Sequence, residues 1–227
     1  MNEAVPSEPT TAAFFDVDHT LLAVNSGSSW LRHMWRTGKI RPLRALQALG
    51  WLVRYRLAIL DLEAVTTLAV SDYRGGSVAA LDGEVREWFA REILKHVCVE
   101  APRRIAEHRA NGHVVALLTA GPRFSATPLA ELLAVEHVLC TELEAEAGRL
   151  TGRHFPPACA GPGKVVHAER FAAARGIDLS QSYFYTDSYS DLPMLERVGH
   201  PRVINPDPRL RRRARVRGWE VETWRAA

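Results

Sequence analysis

Short apolar segments alternate with stretches of helical periodicity along this chain, and that alternation narrows the fold more than any other feature. Residues 12–17, 113–118, 136–139, 182–186 and 202–204 each read as a short buried strand. Between them, residues 102–110, 125–133, 164–175 and 193–198 carry apolar positions at helix spacing, and an Arg-rich helix follows the last strand. A β-hairpin over 143–153 has Gly148 at its tip. Strands alternating with helices predict an α/β fold: a Rossmann-like parallel sheet core with helices on both faces.

One interval breaks the rhythm. From residue 22 to residue 99 the pattern is helical only: Leu46, Leu49, Val53, Leu57 and Leu60 fall at helix spacing, Gly75-Gly76 interrupts, and Val85, Trp88, Phe89 and Ile93 mark a further helix. That is too long for an ordinary crossover. The expected organisation is a catalytic core of residues 1–21 and 101–227, with residues 22–100 inserted as an all-helical cap domain and residues 1–10 disordered. Trp30, Trp35, Trp51, Tyr55 and Trp88 are read mostly as the apolar core of that cap, with one or two of them open to lining a pocket. The stretch 43–62, with its leucines and arginines, also suits a helix lying on a membrane surface; packing inside the cap is the preferred reading.

Composition excludes several classes. With 47% hydrophobic residues the chain is not intrinsically disordered. A net charge of +3, from 29 basic and 26 acidic residues, lacks the bias of a nucleic-acid binder. The one basic run, Arg209, Arg211, Arg212, Arg213, Arg215 and Arg217, reads as the solvated face of a helix, so no nucleic-acid partner is expected. The first residues are polar and resemble no targeting peptide. No apolar run reaches the ~18–20 residues of a membrane span. A cytoplasmic protein is expected, with Cys98, Cys140 and Cys159 as reduced, buried thiols.

In open α/β sheets ligands bind at the carboxyl ends of the strands. There the sequence places Asp16-Val17-Asp18-His19-Thr20, then Thr119-Ala120-Gly121, then Asp187-Ser188-Tyr189-Ser190-Asp191, while Lys164 opens a helix behind Gly161-Pro162-Gly163. Acids, a hydroxyl and a lysine on one sheet edge suit a phosphate ester and Mg²⁺, which is usually held by one or two carboxylates plus phosphate oxygen. Asp16 and Asp187 are the candidate carboxylates. Lys164 would offset the repulsion between an anionic nucleophile and an anionic phosphate. Carboxylates serve as nucleophiles in phosphoryl transfer, and a second acid can protonate the leaving oxygen. Asp187 and Asp191 are equally placed to cap the helix near Pro193. His19 is read as contributing backbone or packing rather than as a base.

These segments resemble the four motifs of the haloacid dehalogenase superfamily. Phe14-Phe15-Asp16-Val17-Asp18-His19-Thr20-Leu21-Leu22 is similar to the first, Leu117-Leu118-Thr119 to the second, Lys164 to the third, and Thr186 to Asp191 to the fourth. The insertion after the first motif resembles the helical C1-type cap of the phosphoserine-phosphatase-like branch, subfamily IB. The resemblance implies Asp16 as nucleophile and magnesium ligand, and Asp18 as general acid/base with its carbonyl on the metal. It implies Thr119, Ala120, Gly121 and Lys164 as phosphate binders, Asp187 as a metal ligand and Asp191 as a carboxylate behind them. An acid at Asp18 favours fast hydrolysis, hence a phosphatase. Phosphoserine phosphatases carry a glutamate where Asn25 stands, so phosphoserine ranks low; Asn25 and Ser28 offer neutral hydrogen bonds to a substrate in the cap. The expected substrate is a small soluble metabolite phosphate. A lipid phosphate, with membrane contact, and a non-catalytic phosphate-binding module are the alternatives.

Overall fold

The computed structural model describes residues 10–39 and 62–226. Its centre is β1 (Ala12–Phe15), four residues without measurable exposure. Ala13 and Phe15 enter one apolar cluster and Ala12 and Phe14 the other, as the two-residue period of a doubly covered strand requires. β2 (Val114–Pro122) and β3 (His137–Thr141) follow on one side of it. β6 (Tyr183–Thr186), β7 (His200–Ile204) and β8 (Glu220–Glu222) follow on the other, after the hairpin of β4 (Leu143–Glu146) and β5 (Arg149–His154).

The order of the six-stranded sheet is β3-β2-β1-β6-β7-β8, every neighbour parallel. The predicted α/β core is therefore present, and it gains one edge strand, β8, where the sequence showed only a terminal segment. β2 runs on past the expected stop at Leu118, with a register shift against β3 between Leu118 and Pro122. α4 (Glu100–Ala110) and α5 (Arg123–Leu132) cover one face, through Ile105 and Leu129. α6 (Pro162–Arg175), α7 (Leu192–Arg197) and α8 (Pro208–Arg217) cover the other, through Phe171, Met194 and Leu210. The topology reverses between β1 and β6, and a crevice opens beyond their carboxyl ends.

Between β1 and β2 lie α1 (Ser26–Arg36), α2 (Leu62–Ser71) and α3 (Val78–Trp88), the last prolonged by a π-helical turn (Phe89–Ile93) and a 3-10 turn (Leu94–His96). Trp30 and Trp88 meet edge to face with ring centroids 5.2 Å apart, and Trp30 Nε1 donates to the Tyr73 hydroxyl at 2.9 Å. Trp35 is 51% exposed, contrary to its reading as core: five residues beyond Trp30, it points about 140° away round the helix. The β4–β5 hairpin grips the connection between α2 and α3, where Gly75 N donates to Leu150 O at 2.7 Å and Leu150 N to Gly76 O at 2.9 Å.

Thr10, placed by sequence in the disordered start, donates from its N–H to Gly176 O at 3.1 Å. The leucine-rich helix of residues 46–60, the membrane-surface reading of 43–62 with Trp51 and Tyr55, and the disorder of residues 1–9 fall outside the described residues. Cys98, Cys140 and Cys159 are buried free thiols; burial pushes Cys98 up to about 11 and Cys140 up to about 12. Among the described residues no helix is long and apolar enough to cross a membrane.

Candidate active site

The chain leaves β1 at Asp16, whose N–H still donates to Tyr185 O at 2.9 Å, and then turns sharply. His19 takes φ 55°, a left-handed conformation, and Leu22 N closes the turn on Val17 O at 2.9 Å. The turn carries Asp18 towards the start of α1. There Asp18 Oδ1 accepts the N–H of Ser26 at 2.9 Å, and Oδ2 accepts the Asn25 side-chain amide at 2.8 Å. Asn25 is also the N-cap of α1, its Oδ1 accepting Ser28 N–H at 2.7 Å. The second acid is thus held by the positive end of a helix and by that helix's capping residue.

Lys164 arrives from the opposite face. Gly161 takes φ 51° ahead of Pro162, and Gly163 lies so close to the preceding loop that a Cβ would come within 1.9 Å of Ala158 O. Only glycine permits this approach. The first turn of α6 then aims Lys164 under the sheet edge, 2% exposed, with Nζ 2.7 Å from Asp16 Oδ1 and 2.7 Å from Asp191 Oδ2. Asp191 Oδ2 accepts Thr186 Oγ1 as well, at 2.7 Å. Although Asp191 stands at the N-cap position of α7, its side chain caps nothing. The capping role open to it in sequence is excluded because lysine and threonine claim that carboxylate. Sequence reasoning assigns Thr186 no role; its signal is a hydroxyl at a strand end, directly before an acid.

The Asp187 backbone carbonyl accepts Asp207 N–H at 2.9 Å, which ties this loop to the start of α8. Thr119 is buried, its Oγ1 accepting Gly121 N–H at 3.3 Å, while Ala120 is exposed and Gly121 half-buried at the open end of β2. Ala120 O is fixed by the Thr141 hydroxyl at 2.9 Å.

Several carboxyl groups share one buried cation here. Burial pushes Asp16 up to about 7 against the pull of Lys164, with Asp191 and Asp18 adding to the rise. Burial, Asp16 and Asp191 push Asp187 up to about 9. Burial also raises Asp18, opposed by hydrogen bonds from Ser26. For Lys164 burial works against the charge, and the two carboxylates overcome it and hold the ammonium above its ordinary range. The cluster is therefore short of positive charge. Among the described residues no three metal-ligating side chains form a ready-made cage. Mg²⁺ needs none, since it completes its shell with water and phosphate oxygen. Asp16 and Asp187, desolvated oxygen donors in a cluster short of positive charge, fit such an ion.

A cavity of about 680 Å³ adjoins the acids; Asp18, Asn25, Ser28, Ala120 and Gly121 line it together with residues of α1, α2 and α3 and with Tyr73, Phe124 and Leu143. Asn25 reaches it with its carbonyl and one amide N–H already committed.

The family model for haloacid dehalogenase-like hydrolases matches residues 13–196. A phosphoserine phosphatase of Mycobacterium tuberculosis is 36% identical over 228 residues, covering 98% of this chain and 73% of that protein. A histidinol-phosphatase of Neisseria meningitidis is 28% identical over 214 residues, covering 92% and 96%. A solved structure from Bordetella pertussis, described as a protein of unknown function, superposes with a TM-score of 0.85 at 33% identity, covering 94% of this chain and 98% of that one.

Proposed function

Because the chain belongs to the haloacid dehalogenase-like hydrolases, we propose that it is a magnesium-dependent phosphatase that cleaves the phosphate ester of a small metabolite through a phosphorylated Asp16. One observation carries this reading: Asp16, at the end of β1, is hydrogen-bonded to buried Lys164, while Asp18 stands beside it at the mouth of a cavity.

Asp16 is the nucleophile. Lys164 engages its Oδ1, leaving Oδ2 to attack phosphorus as the bond from phosphorus to the ester oxygen breaks. Asp18, raised by burial, carries the proton that the departing alkoxide takes. As a carboxylate it then accepts a proton from water. The water oxygen bonds to phosphorus, the bond to Asp16 breaks, and inorganic phosphate leaves with Asp16 restored. Lys164 and the N–H groups at Ala120 and Gly121 bear the charge on the phosphoryl oxygens, and Thr119 adds its hydroxyl. Asp16, Asp187 and the Asp18 carbonyl would hold Mg²⁺, which would supply the missing positive charge at the transferring group. The helices between β1 and β2 act as a cap that excludes water.

The test is phosphate release from a panel that includes phosphoserine, histidinol phosphate, sugar phosphates and glycerol phosphate, with Mg²⁺ or with EDTA. Turnover should require the metal and vanish in Asp16→Asn. Borohydride reduction during turnover should convert residue 16 to homoserine, as seen by peptide mass spectrometry. Full activity in Asp16→Asn would sink the reading.

A further inference from the structure

The phosphatase reading leaves the cavity beyond Asp18 without an occupant. Asp18 lines its mouth, and Asp18 must reach the leaving oxygen, so the alcohol portion of the ester extends into this space. At about 680 Å³ the cavity has the size of sites for whole small molecules, far more than a three-carbon alcohol fills.

Its walls are apolar and aromatic: Trp30, Met34, Val70, Tyr73, Trp88 and Phe124. Tyr73 and Phe124 meet edge to face at 5.8 Å, as Trp30 and Trp88 do at 5.2 Å, so the rings brace one another. Among the described lining residues a free charge for a ligand carboxylate is lacking. Lys39 is the one cationic side chain among the described lining residues, and its ammonium lies 2.6 Å from Glu84.

Resting on the phosphatase reading, we propose that the substrate is the phosphate ester of a predominantly apolar alcohol without a carboxylate, its alkyl or ring-bearing body filling the cavity. The geometry selects against phosphoserine, whose short, carboxylate-bearing body finds no free cation among the described lining residues and covers little of the apolar wall.

Phosphonates test the cavity without chemistry. Calorimetric Kd values for propyl to hexyl phosphonate, 3-phenylpropyl phosphonate and the phosphonate analogue of phosphoserine are measured with Mg²⁺. Each added methylene should tighten binding about fourfold, the effect of burying one CH₂. The phenyl ligand should bind at least about 100-fold more tightly than the phosphoserine analogue. Met34→Gln should flatten the alkyl series. A flat alkyl series in the wild type, or tighter binding of the phosphoserine analogue, would overturn the proposal. Metal-dependent hydrolysis of acetyl phosphate, too small to use the cavity, reports separately on the chemistry. Its absence beside a steep phosphonate series would overturn the phosphatase reading and leave the cavity assignment standing.

Discussion

Replacing Lys164 by methionine removes the one ammonium that two buried carboxylates share. Its Nζ lies 2.7 Å from Asp16 Oδ1 and from Asp191 Oδ2, and all three residues are at least nine-tenths buried. Methionine fills nearly the same volume, so the cavity term is small and the loss is electrostatic. Breaking a buried pair by deleting one partner costs about 3–5 kcal/mol, because the surviving charge stays desolvated. At this chain length each kcal/mol moves Tm by ~2–4 °C, so the variant should melt roughly 6–20 °C below the wild type in EDTA at pH 7. The argument concerns an orphaned charge, and a double-mutant cycle isolates that. In the wild type Asp191→Asn weakens the ion pair; in the Lys164→Met background the same change removes an orphaned anion, while the Thr186 hydroxyl still finds an amide oxygen. The two substitutions should therefore couple by at least about 1.5 kcal/mol in urea unfolding, with Asp191→Asn stabilising the lysine-free protein. A cost below about 1 kcal/mol for Lys164→Met, or costs that simply add, would refute the reasoning.

Further predictions follow from single contacts. Asn25→Asp keeps an oxygen to cap α1 but puts a like charge against Asp18, so the limb of the kcat/KM profile governed by Asp18 should move up by about one pH unit or more; an unmoved profile would deny Asn25 its positioning role. Gly163→Ala drives a Cβ to within 1.9 Å of Ala158 O, so the first turn of α6 must shift. Turnover should fall on the order of 10²-fold as Lys164 moves by about 1 Å, and wild-type rates would show that the turn is free to adjust. At the other end of the sheet, burial lowers His108 to about 4, helped by His113, Arg104 and Arg202. A depressed histidine stabilises the fold above its unfolded pKa of about 6.5, and that contribution drains away as pH falls from about 6.5 through about 4. Between pH 7 and pH 5 this amounts to about 2 kcal/mol, so His108→Leu should lose distinctly less stability than the wild type over that range; parallel losses in urea unfolding would refute it.

The sheet and its acidic edge were legible because each depends on a local pattern. A strand such as β1, buried on both faces, needs an unbroken apolar run, and the chain must stop being apolar where the sheet meets the crevice. Asp16, Asp187 and Lys164 are thus visible as breaks in hydrophobicity at strand and helix ends. β8 was not legible, because an edge strand bearing Glu220 and Glu222 buries too little to demand an apolar run.

What the sequence left open or missed depends on partners far apart in the chain. Asn25 reads as a neutral residue facing the substrate until it is seen to spend its amide on Asp18 and its carbonyl on α1. Trp30, Tyr73, Trp88 and Phe124 come from four separate segments, and each alone has the spacing of an ordinary core residue. Only their assembly around a void separates a binding wall from packed core. The same fact divides the molecule chemically. In the proposed reaction the acids and Lys164 would act on a phosphate group that every substrate shares, so their positions follow from that chemistry. Apart from the start of α1, which holds Asp18, the helices between β1 and β2 would meet the part that differs between substrates. Substrate choice is therefore written in the shape of that wall, and variants there should redistribute kcat/KM among esters while Asp16 and Lys164 set its scale.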